Sequence, residues 1–168
     1  MNLTKKTKFY FLVICFLINT LCVAPSYSLT SQEDLFKNAL ILSSNGEFSL
    51  ALKKWNKYLE LFPDDAAALS NRGNIKLVIG DPEGAIDDQN KAIDLDPEEV
   101  DPYINRGIAE ESLGLWLKAK NDYLFVISKD KNNFSALYNF ANVEGSLANW
   151  QSARNLFSKA AELNPGFA

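Results

Sequence analysis

Three asparagines, Asn71, Asn105 and Asn139, recur at one fixed interval. A side-chain amide both donates and accepts hydrogen bonds, and so does a peptide backbone, so a column of amides suits the recognition of a peptide. Bond-making chemistry is poorly provided for. The chain has no histidine, and its two cysteines, Cys15 and Cys22, lie close to the N-terminus. Beyond them there is no thiol nucleophile and no imidazole base, so an enzyme is not expected. No glycine-rich phosphate loop occurs, and no cofactor is expected. The acids between Asp64 and Asp101 contain no Asp-x-Asp-x-Asp-Gly run. A calcium loop would need such alternating oxygen ligands, so these acids are read as helix caps and solubilising charge, with no metal.

The segment 1–28 is organised differently from the rest. Lys5, Lys6 and Lys8 make a basic start, an apolar run follows from Phe9 to Ala24, and Ala24-Pro25-Ser26-Tyr27-Ser28 is a small, polar exit. This is the layout of a secretory signal. Two readings stand: cleavage after Ser28, or an uncleaved signal anchor, although the run is shorter than the ~20 residues a spanning helix usually needs. Bulky Ile14 and Leu21 precede the two cysteines, which does not make a lipoprotein signal. Under either reading residues 29–168 are exported across a membrane, to a periplasm, a thylakoid lumen or the exterior, and stay membrane-anchored if the leader remains. Loss of the three leader lysines leaves 14 basic against 21 acidic residues, a net charge of about −7 in place of −4. Such an acidic chain is ill suited to nucleic acid, which is bound by clustered Lys and Arg.

The elements that must position the asparagines repeat with them. Ala51, Ala85, Ala119 and Ala153 keep the same interval, as do Gly46, Gly80 and Gly114, with Ala148 in the fourth slot. Pro63, Pro97 and Pro165 form another column, with Lys131 in the third slot. A fixed period of this length means stacked copies of one small unit, here about 32–65, 66–99, 100–133 and 134–167. Within the second copy, Leu69, Gly73, Leu77 and Gly80 lie on one helical face, and Ala85, Ile86, Ala92, Ile93 and Leu95 on another. Gly80 stops the first helix, while Asp81 caps the second with Pro82 at its first position. The spacing predicts helices at about Asp34–Asn45, Phe48–Leu61, Ala66–Ile79, Pro82–Leu95, Pro102–Leu113, Trp116–Lys129, Phe134–Leu147 and Trp150–Leu163.

The columns carry a family resemblance. The first copy reads Leu35, Ala39, Gly46, Ala51, Trp55, Tyr58, Pro63, and the second Leu69, Gly73, Gly80, Ala85, Gln89, Ala92, Pro97. The third reads Tyr103, Gly107, Gly114, Ala119, Tyr123, Val126, Lys131, and the fourth Leu137, Ala141, Ala148, Ala153, Phe157, Ala160, Pro165. This pattern resembles the tetratricopeptide repeat (TPR). Gln89 departs from it in an aromatic column, Lys131 in a proline column, and Tyr58 in a column of small residues. The third and fourth copies, from Asp101-Pro102-Tyr103 onward, also resemble repeat proteins of the thylakoid lumen. The resemblance implies an all-α, right-handed α-solenoid of about eight helices whose first helices line a concave groove. It also implies a non-catalytic scaffold for a protein or peptide, or alternatively a chaperone-like helper in the assembly of a membrane complex, photosynthetic in the narrower version.

In that frame the partner-binding candidates are Asn71, Asn74 and Leu77 of the second copy, Ile104, Asn105 and Ile108 of the third, and Tyr138, Asn139 and Asn142 of the fourth. The asparagine column has two readings: handles for a bound backbone, or bridges between the chain's own helices. One subclass of the family grips a C-terminal carboxylate with Lys, Asn and Arg from successive first helices. Here Asn71 is present, but Phe36, Leu40, Asp101 and Asn105 stand where cations would be. Arg72 and Arg106 are expected to turn towards the preceding copy and pair with acids there. Trp55, Tyr123 and Phe157 are expected to pack in the core. No capping helix follows the last repeat in this sequence, so Phe157 and Leu163 are expected to leave an apolar face for self-association or a partner. For the leader, intact mass of the protein from its native source is expected to correspond to a chain starting at Leu29. Full-length chain embedded in membrane would instead establish the anchor.

Overall fold

A computed structural model describes residues 26–167. The apolar run of the leader lies outside the described residues. Eight α-helices follow one another: α1 (Ser26–Ser44), α2 (Phe48–Leu61), α3 (Ala66–Val78), α4 (Pro82–Leu95), α5 (Asp101–Ser112), α6 (Trp116–Lys129), α7 (Phe134–Ser146) and α8 (Trp150–Leu163). A single 3-10 turn, Pro165–Phe167, ends the described chain. Seven helices fall where the spacing predicts. The exception is α1, which begins at Ser26 instead of Asp34 and passes through the expected boundary after Ser28. The reason is local, since no glycine or proline interrupts the sequence between Ser26 and Gly46.

The turn inside each helix pair is one device used four times. The second residue after each first helix takes a left-handed backbone: Gly46 at φ 78°, Gly80 at 86°, Gly114 at 71° and Ala148 at 61°. The next amide then bonds back to the helix, from Glu47 N to Leu42 O, Asp81 N to Lys76 O, Leu115 N to Glu110 O and Asn149 N to Glu144 O, at 2.8–2.9 Å. This is a Schellman closure, which satisfies carbonyls that the helix end would otherwise leave open. Other ends are capped by side chains: Asp65 accepts from Ala68 N, Asp81 from Gly84 N and Asn133 from Ala136 N.

Packing explains the small-residue columns. A methyl added at Gly73 would lie 3.2 Å from the Ala85 carbonyl and 2.6 Å from Gln89 Nε2, and one at Gly107 would lie 2.6 Å from the Tyr123 ring. Ala51, Ala85 and Ala119 are buried opposite them. Each helix therefore packs closely on its partner and on the next in sequence. Successive first helices also touch, α1 with α3, α3 with α5 and α5 with α7, whereas among the described residues successive second helices do not. The stack must curve with its first helices inside, which makes their outer faces the concave surface.

Two apolar clusters fill the stack. Ala39, Trp55, Tyr58, Leu69 and Ile75 anchor the first, and Ala119, Tyr123, Val126, Phe140 and Val143 the second. Tyr58 fits its small-residue column because Phe36, Trp55 and Phe62 surround it with ring centroids 4.9–6.0 Å away, and Gln32 and Asp65 bond its hydroxyl. Phe157 is not fully packed in the core, and it leaves open part of the apolar face expected on the last repeat. It is 38% exposed, packs edge-on against Tyr138 at 5.5 Å, and has no following helix among the described residues to cover it.

Ala148 is the one non-glycine in the left-handed set. A Cβ in that conformation is strained, and glycine removes the strain at some entropic cost to folding, since it frees the unfolded chain. Ala148→Gly is expected to raise stability by about 0.5–1 kcal/mol and Gly80→Ala to lower it by a similar amount, read from denaturant midpoints at constant slope.

Candidate functional site

The concave surface holds a cleft between α3 and α5. Its volume is about 290 Å³, and it is lined by Ala66, Ala67, Ser70, Asn71 and Asn74 of α3, Asp96 and Glu99 of the α4–α5 loop, and Asp101, Pro102 and Asn105 of α5. Three of the nine candidate residues, Asn71, Asn74 and Asn105, are brought together here. Leu77 is half-buried farther along α3 and Ile108 is exposed on α5. Asn139 and Asn142 sit half-buried on α7, away from the cleft. Tyr138 is partly buried between Phe134, at 6.0 Å, and Phe157. Ile104 is not a groove residue: it is buried in the second core cluster. It stands one helical turn before Gly107 and so shares the face that packs on α6.

The amides are partly engaged within the protein. Asn71 Nδ2 donates to Ala67 O of its own helix at 2.8 Å, and Asn105 Nδ2 reaches Ser70 Oγ of the preceding repeat at 3.3 Å. Asn74 Oδ1 accepts from Gln89 Nε2 at 3.2 Å, and the same nitrogen bonds Ser70 O at 3.0 Å. Gln89 thus replaces the aromatic of its column by holding α3 from behind, although its own Oε1 is buried without a partner. Bridging within the chain and recognition of a ligand are therefore combined: the bonds fix the amides without using their full capacity.

Behind the cleft lies a polar ladder. Arg72 grips Asp88 through Nε and Nη2, both at 2.7 Å, and its Nη1 reaches Asn56 Oδ1 at 3.1 Å. Arg106 repeats this with Asp122 at 2.7 and 2.6 Å and with Asn90 at 2.7 Å. The acids belong to the arginines' own repeats, and the preceding repeat contributes an asparagine, so the expected pairing with acids there is corrected. Each aspartate lies on the second helix at one constant offset from its arginine, and the aspartates, like the asparagines, keep the repeat interval. That double register was the available signal. The bidentate fork makes these charge-assisted bonds strong and directional.

The ladder has one defect. In the second repeat Lys76 adds a bond to Asp88 at 2.9 Å. The equivalent position in the third repeat is Glu110, which is 6% exposed, with Oε2 buried and unpaired. Burial, followed by the nearby Asp122 charge, pushes its carboxyl up from 4.5 to about 7, against the opposing pull of Arg106 and Lys118. In the fourth repeat the equivalent carboxylate, Glu144, has Lys120 at 2.7 Å; burial alone would raise it, but the lysine and the Ser152 and Asn149 side chains hold it below the ordinary value. Nearby, burial raises the Glu111 carboxyl in spite of its 2.5 Å bond from the Tyr123 hydroxyl.

Among the described residues no group of acids could hold a metal ion, and no helix is long and apolar enough to cross a membrane. Residues 36–100 match the family model of the tetratricopeptide repeat. No curated protein matches the chain. Solved structures with the same fold include a crystal structure of MamA, 23% identical with a TM-score of 0.70, covering 77% of this chain and 75% of that one. The first TPR of Spaghetti (RPAP3) bound to the HSP90 peptide SRMEEVD is 24% identical with a TM-score of 0.67, covering 70% and 93%. The Arabidopsis OM64 TPR domain is 21% identical with a TM-score of 0.66, covering 68% and 94%.

Glu110 makes stability depend on pH. Between about 4.5 and 7 the folded chain binds more protons at this carboxyl than the unfolded chain does. The group's favourable contribution is therefore complete below about 4.5 and is lost as pH rises through about 7. Glu110→Gln is expected to stabilise the protein at neutral pH by about 1–3 kcal/mol and to flatten the decline over that window, with little effect near pH 4. Thermal unfolding across pH, wild type against variant, measures it.

Proposed function

We propose, from the match of residues 36–100 to the tetratricopeptide-repeat model and from the fold that the whole stack shares with such repeats, that this protein is an exported, non-catalytic scaffold that holds a segment of a partner protein in its concave groove. The observation that carries this reading is the cleft between α3 and α5, where fixed amides and small apolar walls meet on the inner curve. Such a surface offers hydrogen bonds to a backbone and room for a side chain. The acidic rim and the net negative charge favour a neutral or basic segment over an acidic one. In this respect the groove is unsuited to a peptide such as the SRMEEVD bound by the RPAP3 domain, because Asp101 and Asn105 stand where the carboxylate-gripping subclass has cations. The leader supports export, and the lack of histidine supports a role without catalysis.

A second reading, a helper that holds a subunit while a membrane complex assembles, is favoured by the apolar residues exposed on α8. Trp150 is 70% exposed there, with Phe157 and Leu163 also uncovered. Exposed apolar surface of this kind recruits a partner or a second copy.

The groove is tested by filling it. Ala67 is exposed at the cleft wall, and Asp87 is exposed on α4. In affinity capture from the native membrane fraction, Ala67→Trp is expected to lose at least about 90% of captured partner, equivalent to about 1.4 kcal/mol. Asp87→Trp should retain capture, and circular dichroism should show equal helix content in both. Full capture by Ala67→Trp would move the binding surface elsewhere.

A further inference from the structure

We propose that the cleft between α3 and α5 is a receptor for an arginine side chain of the bound segment, a specificity that rests on the groove reading above. The argument is a surplus of acceptors. Asn71 and Asn105 each direct an amide N–H inward, to Ala67 O and Ser70 Oγ, and neither of these bonds engages Oδ1. The carboxylates of Glu99 and Asp101 stand beside them, and no lysine or arginine lines the cleft. Arg106, on α5 itself, is committed to Asp122 and Asn90 behind the groove. The site thus presents oxygen acceptors and negative charge without an internal cation.

A guanidinium matches this surface in each respect. It carries five N–H donors in a plane, accepts nothing, and is weakly hydrated for a cation. Amide oxygens and carboxylates spread across two helices suit a planar fork better than the compact ammonium of lysine, while Ala67 and Pro102 offer apolar contact to the faces of the plane. A carboxylate would meet acceptors with an acceptor and is disfavoured on the same grounds.

The test uses the intact protein and four blocked pentapeptides, Gly-Ser-X-Ser-Gly, with arginine, lysine, citrulline or norleucine at X, followed through backbone amide shifts. The arginine peptide should produce saturable shifts centred on Ser70, Asn71, Glu99 and Asn105. Lysine should bind more weakly, citrulline at least about tenfold more weakly, and norleucine not at all. The double variant Glu99→Gln/Asp101→Asn should weaken arginine binding about tenfold. Since Glu99 also caps its own turn, a gain-of-function variant accompanies it: Ala67→Glu adds a carboxylate to the wall and should tighten arginine binding severalfold. Arginine and citrulline binding alike would overturn the proposal and leave the groove reading standing. So would an absence of saturable shifts with every peptide, since the groove is judged separately by partner capture with Ala67→Trp. Tightening of the citrulline peptide by Ala67→Glu as much as of the arginine peptide would also overturn it.

Discussion

The close approach of two helices inside each repeat is the constraint on which the rest of this molecule depends. Gly73 and Gly107 have no room for a side chain, because Gln89 and Tyr123 occupy the space a methyl would take. The alanines at 51, 85 and 119 are buried. Helices packed this closely present whole faces to the next pair, so one repeat buries its apolar side only against another. The first helices end up touching one another and the second helices, among the described residues, do not. Curvature, and with it a concave surface, is the geometric consequence of where the small residues stand.

That geometry decides where polar groups can go. On the inner curve the amides of Asn71, Asn74 and Asn105 are fixed but not exhausted, which is the state in which a polar side chain serves recognition. Behind them the Arg72–Asp88 and Arg106–Asp122 pairs tie the two helices of the middle repeats together. Buried pairs of this kind add little net stability over an apolar substitute, but removing one partner strands the other, so they enforce one register of helix against helix. Glu110 shows what the same environment does to a charge without a partner: it is driven towards the neutral form.

Much of this was legible in the sequence because the repeat reports each feature several times. The turn glycines, the Asp81-Pro82 helix start and the alanine columns each encode a local backbone or packing need, and seven helices lie where those signals place them. The early start of α1 was missed because helix continuation needs no signal, only the absence of a breaker. Ile104 was misplaced because period alone separates the packing face from its neighbours poorly: a residue one turn before a glycine is drawn into that glycine's contact. The partners of Arg72 and Arg106 require knowing which helix lies beside which. Their register with Asp88 and Asp122 was visible, but its meaning depends on the pair geometry. The column of Phe157 predicts packing; its partial exposure follows from its place on the last helix described, the signal from which an open apolar face was expected. The compartment rests on the leader alone, most of which lies outside the described residues.

The central claim is that partners engage the inner curve formed by the first helices. A photoreactive phenylalanine analogue can be placed at Ile108 of α5, on the same side as Asn105, or at Leu124 of α6. Both residues are exposed and apolar, so neither substitution disturbs the core. Irradiation in the native membrane fraction, followed by mass spectrometry of the adducts, reads the contact directly. The account predicts a defined partner segment attached from position 108 and none from position 124. The same segment attached from position 124 and absent from position 108 would contradict it.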